Sequence, residues 1–216
     1  PYTTLFRSVG LAFGQHRLCG FDILLGRQLF RRREVGEVLP VERHAHLLEV
    51  LCHQAQRELG RNIRKLGNPL IVSEPGRLHL FFVSVSYGGW AGSAINRSTS
   101  TDGGKYWQPS QRIVTSPFFN LSTLVRNPGT WLTDGSLGLP VYHEFVNKHG
   151  EWLRLDPEGR VLAKERMPMP RATLQPAVVA LGGQHAVAAL RDAGPGENQV
   201  QWSETQDAGR SWHAGS

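Results

Sequence analysis

The chain has 216 residues, with 24 Lys+Arg against 18 Asp+Glu and a formal net charge of +6. Its 40% hydrophobic and 19% charged residues match a folded domain and exclude a disordered chain. No apolar run of about 18 residues occurs, so no membrane-spanning helix is expected in this segment, and Cys19 and Cys52 fit neither a disulfide framework nor a metal spacing, so no metal or cofactor is expected.

Residues 1–8, Pro-Tyr-Thr-Thr-Leu-Phe-Arg-Ser, resemble a translated sequencing adapter and are set aside as an expected artefact. Residues 9–66 fit no repeat well. Within them Phe21 to Phe30 reads as a strand, and Arg43 to Leu59 is rich in helix formers. The expectation for 9–66 is the remnant of a preceding repeat unit plus a long connection. The basic residues are scattered, and Arg31-Arg32-Arg33 is followed by Glu34 and Glu37. That pattern predicts a solvated surface and no nucleic-acid partner.

From residue 67 onward the chain repeats. Ser100-Thr101-Asp102-Gly103-Gly104-Lys105-Tyr106-Trp107 and Thr205-Gln206-Asp207-Ala208-Gly209-Arg210-Ser211-Trp212 share the pattern Ser/Thr-x-Asp-x-Gly-x-x-Trp, with the aspartates 105 positions apart. Asn68-Pro69, Asn127-Pro128 and Gln175-Pro176 mark the openings of apolar runs, 59 and 48 residues apart. The first unit predicts strands at 69–72, 78–85, 93–100 and 111–114, with a turn at Glu74-Pro75-Gly76. The second predicts 138–145, 151–155 and 160–164, where the turn Asp156-Pro157-Glu158-Gly159 stands in for a decayed Asp motif. The third predicts 177–181, 185–191 and 199–203. Four short strands per repeated unit, with Gly and Pro at about one residue in six, predict an all-β chain of three β-propeller blades over 67–216.

The Asp motif reads as structural. Gly104 and Gly209 permit a backbone conformation that a Cβ resists. Asp102 and Asp207 accept hydrogen bonds from turn N–H groups. Trp107 and Trp212 fold back to bury their rings. Ser100 and Thr205 open the two motifs.

These two Asp boxes resemble those of the sialidase (neuraminidase) superfamily. So do Asn68-Pro69 with Leu78 to Phe82, Leu139-Pro140-Val141-Tyr142, and Thr173 to Pro176 with Leu190-Arg191. Gly88 to Ser93 and Tyr142 to Phe145 look like bacterial sialidase-like proteins with BNR repeats. The resemblance covers roughly 55–216. It implies a six-bladed propeller, here a truncated piece, and an exo-acting glycoside hydrolase that removes a terminal sialic acid from glycans. It also implies three arginines on the sugar carboxylate, a Tyr nucleophile paired with a Glu, and an Asp acid/base. The alternative is a non-catalytic propeller that binds glycan or protein.

By this resemblance Arg191 matches the second arginine, and the paired Glu falls on Gln175. Glutamine is no general base, so Glu144 would have to substitute. The first arginine is expected before residue 9, and the third arginine and the nucleophile beyond Ser216. The catalytic Asp is not assignable to Asp22. Tyr142 and Glu144 are expected to point one way along their strand and to contact sugar, or else to be a core Tyr and an exposed Glu. His143 is expected to point the other way, buried. Trp90, on a flexible Gly-rich loop, either stacks on sugar or simply packs. Asn68 and Asn127 either touch ligand or cap backbone. The implied partners are a sialylated or other acidic glycan and the missing blades of the same chain, which would cover apolar faces left open here. The compartment is open, with a secreted or periplasmic setting favoured.

Overall fold

The computed structural model describes residues 63–116, 122–195 and 199–215 in full, and 14–18 and 21–25 as backbone. Residues 1–8, Cys19, Cys52, the segment 26–30 and the helix-rich stretch 43–59 lie outside the described residues. Strands β1 (Gly14–Leu18) and β2 (Phe21–Leu25) pair as a hairpin.

Three antiparallel sheets follow, and they are the three units of the repeat. The first is β3 (Lys65–Glu74), β4 (Arg77–Val85), β5 (Ser93–Ser100) and β6 (Gln111–Arg112), in chain order. The second contains β7 (Thr123–Val125), β8 (Thr130–Trp131), β9 (Leu137–His143), β10 (His149–Leu155) and β11 (Val161–Arg166). Both β7 and β8 pair with β9, so they are one inner strand broken in the middle. The third is β12 (Thr173–Gly182), β13 (His185–Asp192), β14 (Val200–Thr205) and β15 (His213–Ala214), again in chain order. We call these sheets blades A, B and C. The described residues are all-β, as the repeat predicts, with no α-helix among them.

The strand residues are chosen by burial on two sides. β4 reads Leu-His-Leu-Phe-Phe-Val-Ser-Val with hardly a polar alternation, and residues His79 to Val85 are all buried. That is the signature of a strand covered on both faces. One face of blade A, with Leu70, Val72, Phe81, Val83 and Ile95, packs on Leu139, Val141 and Leu153 of blade B. The other face of blade B sends Trp152 against Met167, Ala188, Leu190 and Trp212 at the seam with blade C. On the far face of blade C, Val179, Leu181, Val200 and Trp202 are each about half exposed or more. The alternation of β12, β13 and β14 puts them on the side opposite Ala188 and Leu190.

Turn chemistry closes the hairpins. Pro75-Gly76 links β3 to β4, with Gly76 at φ 76°, the left-handed value that a type II turn requires. Both Asp boxes join the third strand of a blade to the fourth. Ser100 Oγ donates to Asp102 Oδ1, which also accepts from the N–H groups of Lys105 and Tyr106. Thr205 Oγ1, Ser211 N–H and Ser211 Oγ do the same for Asp207. The hydroxyls of Ser100 and Thr205 in turn accept from Gly104 and Gly209 N–H. The tyrosine N–H at the Asp102 turn, with the Ser100 hydroxyl, holds that carboxyl below the usual range. The Ser211 hydroxyl first, then backbone N–H groups and Thr205, hold Asp207 at about 2. Trp107 and Trp212 are 5% and 4% exposed, so each box pins its loop to the core with a large apolar face.

A polar latch crosses the seam between blades A and B. His79 is 1% exposed. Its Nε2 lies 2.9 Å from Glu74 Oε1, and its Nδ1 accepts from Arg97 Nε at 3.1 Å and Nη2 at 2.7 Å. An arginine only donates, so Nδ1 is the acceptor and Nε2 carries the proton. Arg97 Nη2 also donates to Pro157 O of blade B, and Trp131 of blade B donates from Nε1 to Ser73 O while meeting the His79 ring edge-on. Burial pushes His79 below its ordinary value, against the opposing pull of Glu74. Arg97 and Arg77 push it the same way as burial; Asp156 and Glu158 face Arg97 from blade B.

Two predictions follow from this packing. A folded pKa below the unfolded value of about 6.5 means that the His79 contribution to stability is present above that pH and is lost as pH falls below it. The gap in unfolding free energy between wild type and His79→Gln should therefore be larger at about pH 7.5 than at about pH 5, measured by urea titration. Parallel pH curves would show the latch to be inert. The second concerns Gly209, at φ 82°, where a Cβ would collide with the Trp152 ring, whereas Gly76 has open space around it. Gly76→Ala should cost only the left-handed strain, about 1–2 kcal/mol. Gly209→Ala adds a steric clash and should cost clearly more, by about 1–3 kcal/mol.

Candidate functional site

The inner strands of all three blades break at the same place. Pairing slips between Gly67 and Leu70, around Asn68-Pro69, and between Leu174 and Ala177, around Gln175-Pro176. In blade B the gap between β7 and β8 holds Asn127-Pro128. Asn68 has φ 50° and Gln175 φ 55°. The sequence places these Asn/Gln-Pro pairs at the openings of strands; the structure instead places them inside the inner strands, as bulges. The reason is that proline has no N–H for the ladder, and a bulge is where a ladder bond is already lost. Both Asn68 and Gln175 thereby take a backbone conformation disfavoured for residues with a Cβ.

These bulges are tied to one another. Asn68 Nδ2 of blade A donates to the Tyr142 hydroxyl of blade B at 3.2 Å. The Gln175 side chain of blade C hydrogen-bonds the same hydroxyl. Asn127 Nδ2 donates to Gln175 O at 3.1 Å and to Pro176 O at 2.8 Å. Of the two readings of Asn127, the backbone-capping one describes what it does. Tyr142 is 2% exposed. Burial first, and then the charge of Glu144, push its hydroxyl above the ordinary value. Such a phenol is protonated at neutral pH, so the hydroxyl here is a structural bridge and not an activated nucleophile.

The loops between second and third strands leave the sheets at the end opposite the Asp boxes, and the bulges lie toward that end. Trp90 sits in a 3-10 turn, Trp90–Gly92. A Cβ on Gly67 would come within 2.8 Å of its ring, and a Cβ on Gly92 would collide with Tyr87 O. The Gly-rich loop, expected to be flexible, is therefore built around close backbone approaches, with Trp90 half-buried against the core of the A–B seam. Glu144 is half-buried one residue past the end of β9, and its N–H donates to Ser122 Oγ, as does that of Phe145. The alternation that aligns Glu144 with Tyr142 thus stops before Glu144 is reached. His143 is half-buried rather than buried, because its ring stacks on His149 at 5.1 Å at the open end of the hairpin. Arg191 is exposed on β13 and pairs through its Cα with Leu174, the residue before Gln175. No ion pair of Arg191 occurs among the described residues.

The structure therefore gathers Asn68, Tyr142 and Gln175, pairs Arg191 with Leu174 on the exposed face of blade C, and places Trp90 and Glu144 at the loop ends of blades A and B. Sequence reasoning passed over Arg126, the residue before the Asn127-Pro128 break, whose charge acts on the Tyr142 hydroxyl. Its position next to an Asn-Pro pair was the available signal. Among the described residues, no group of three His, Cys, Asp or Glu is arranged to hold a metal, and no helix is long and apolar enough to cross a membrane.

Removing the Tyr142 hydroxyl strips one hydrogen bond from each of two strained bulges. Tyr142→Phe should lower stability by about 1–3 kcal/mol, the cost of leaving buried amide groups unpaired. Thermal unfolding checks this, and an unchanged midpoint would mean the bulges hold themselves.

Among solved structures, the chain resembles the Hadza microbial sialidase Hz136, with 19% identity over 71% of this chain and 34% of that one, at a TM-score of 0.55. It also resembles the Trypanosoma rangeli sialidase in complex with sialic acid, at 14% identity, 69% and 28% coverage and a TM-score of 0.53. A Cellvibrio cellulosa α-L-arabinanase mutant matches at 12% identity, with 73% and 58% coverage and a TM-score of 0.51. At these identities the likeness establishes the fold, that of propeller glycosidases. The chain spans about a third of the length of the two sialidases. No curated protein matches it in sequence. The BNR repeat-like domain family matches residues 49–215, well over half of the chain and all three blades, and this chain belongs to that family.

Proposed function

We propose that this chain is part of a sialidase-type, exo-acting glycoside hydrolase that removes a terminal acidic sugar. The observation that carries the reading is Arg191, an exposed arginine with no ion pair among the described residues, on the strand that pairs with the Gln175 bulge. A planar guanidinium stays charged at any working pH and binds a carboxylate through two parallel hydrogen bonds. Placing it on a strand beside a bulge fixes its base while leaving its fork in solvent. The solved sialidases with the same fold support the substrate class, and the arabinanase shows that the fold serves other glycosides. Sialidases work through a Tyr nucleophile, outside the usual scheme of two carboxylates. Among the described residues Tyr142 does not fill that role, because it is buried and its hydroxyl is shared by Asn68 and Gln175.

A second reading is a propeller that binds acidic glycans without cleaving them. Gln175 favours it: its side chain is an amide engaged with Tyr142, where the resemblance calls for a carboxylate. An amide cannot take a proton from a phenol.

A fluorogenic sialoside and a fluorogenic arabinoside, offered to this chain and to any longer product of the same gene, separate the readings. Sialoside cleavage is expected from the product that carries the complete site. Arg191→Ala should lower its kcat/KM by about 10- to 100-fold, as the loss of one charge-assisted contact implies. Unchanged kinetics in Arg191→Ala would remove Arg191 from the site. Binding of acidic glycans without cleavage of any would establish the second reading.

A further inference from the structure

The tip of the β9–β10 hairpin, residues 144–148, is held more firmly than an exposed turn requires. Val146 is 82% exposed, yet it has φ 61°, a left-handed backbone that a β-branched side chain resists. Around it the Asn147 N–H donates to Phe145 O at 2.7 Å. On one flank Ser122 Oγ accepts from the N–H groups of Glu144 and Phe145. On the other stands His149, with its ring between two acceptors: Nδ1 lies 2.7 Å from Asn147 O and Nε2 lies 3.1 Å from Glu151 Oε1. A carbonyl oxygen only accepts, and so does an ionised carboxylate. Burial raises Glu151, but the His149 bond and the Lys164 charge outweigh it and hold the carboxyl below its ordinary value. Both bonds therefore need a proton on each ring nitrogen, which makes His149 an imidazolium. A neutral imidazole has one N–H and must give up one bond.

We infer that His149 is a pH-sensitive lock on this tip: charged, it ties Asn147 to Glu151 and keeps the strained turn; neutral, it lets Asn147 go. The carboxylate is the stronger acceptor, so the remaining proton stays on Nε2, and the carbonyl of Asn147 loses its donor. The turn at Val146 then has a route to relax. Each charged neighbour fits this role. His143 on β9 stacks on the ring at 5.1 Å. Burial first, and then the His149 charge, push His143 below its ordinary value, so it stays the neutral member. Lys164 on β11 lies 3.4 Å from Glu151 Oε1, and Arg166 is the register partner of Glu151 on the same strand. Thr123, the register partner of His143 on β7, carries no charge. Glu144 and Lys148 are the charged residues of the tip itself. The lock does not rest on the sugar reading given above. Glu144 and Phe145 ride on the tip, so the loop end of blade B is set by pH whatever it binds.

The test follows the full chain by NMR at about pH 5.5 and about pH 8, on either side of the ordinary histidine value of about 6.5. Ring-nitrogen shifts should show His149 protonated on both nitrogens at the lower pH and on Nε2 alone at the higher. Hydrogen-exchange protection of the Asn147 amide, corrected for intrinsic rate, should fall by about tenfold or more from the lower pH to the higher. Protection of Met167, which donates to Gly150 O, should stay level. Glu151→Gln places a donor opposite Nε2, so a neutral imidazole keeps both bonds, and Asn147 should be protected at both pH values. His149→Ala should leave Asn147 poorly protected at both; if that variant unfolds, the wild type and Glu151→Gln decide the matter. His143→Phe keeps a stacked ring without its titration and should respond to pH as the wild type does. Equal protection at both pH values in the wild type overturns the lock. So does a single protonated nitrogen on His149 at the lower pH, a Glu151→Gln chain that still responds to pH, or a His143→Phe chain that does not.

Discussion

A sheet that is apolar on both faces can exist in water only when something covers each face. This constraint organises the whole chain. β4 has almost no polar residue between Leu80 and Val85, so blade A has no side that it can turn to solvent. Blade B covers one side, with Leu139, Val141 and Leu153, and blade C in turn covers Trp152. At about 25 cal/mol per Å² of apolar surface, such seams outweigh any single hydrogen bond in the fold. The polar features are therefore refinements of the seams. The His79–Arg97 latch sets how blade A meets the Asp156 turn of blade B, and Gly209 lets the second Asp box lie flat against Trp152.

Packing alone would let blades slide, because apolar contact is non-directional. Direction comes from the few places where the ladder is interrupted. The bulges at Asn68 and Gln175 free backbone and side-chain groups that a regular strand would consume, and those groups are what cross the seams. Tyr142 accepts from one bulge and bonds the other, and Asn127 fastens to the carbonyls of the third blade. The strain at φ 50° and 55° is thus offset by bonds that also fix the spacing of the blades. The same interruption that registers the blades is also where Asn68, Tyr142 and Gln175 meet.

Much of this was legible in the sequence. Strand positions followed from apolar runs between Gly and Pro turns, and most of them fall within the observed strands. The Asp boxes could be read to the level of the hydrogen bond, because Asp, Gly and Trp each act within five residues of one another. What escaped was everything that depends on a neighbour in another blade. Asn68 and Gln175 read as strand openings because Pro in a strand is ordinarily a boundary; only the partner strand shows the bulge. Glu144 read as a strand residue until the Ser122 hydroxyl, 22 positions away, took its N–H. His143 read as buried because its stacking partner His149 lies across a hairpin. Arg126 carried no motif of its own. The helix-rich stretch 43–59 stands outside the comparison.

Position 175, where the resemblance to sialidases implies a glutamate, bears on chemistry more than on fold. Gln175 and a glutamate have nearly the same size, and either can bond a phenolic hydroxyl, so the bulge and its links to Tyr142 and Asn127 do not depend on which is present. Proton transfer does depend on it, since only a carboxylate is a base near neutral pH. The position of Arg191 depends on neither, since the β12–β13 ladder places it. Under the acidic-sugar reading proposed above, anion binding and bond cleavage would then have separate structural origins, the first in backbone geometry and the second in single side chains. A propeller of that design could lose its base and keep its ligand, and an exposed arginine on the strand beside an amide at 175 is the arrangement in which that separation would be seen.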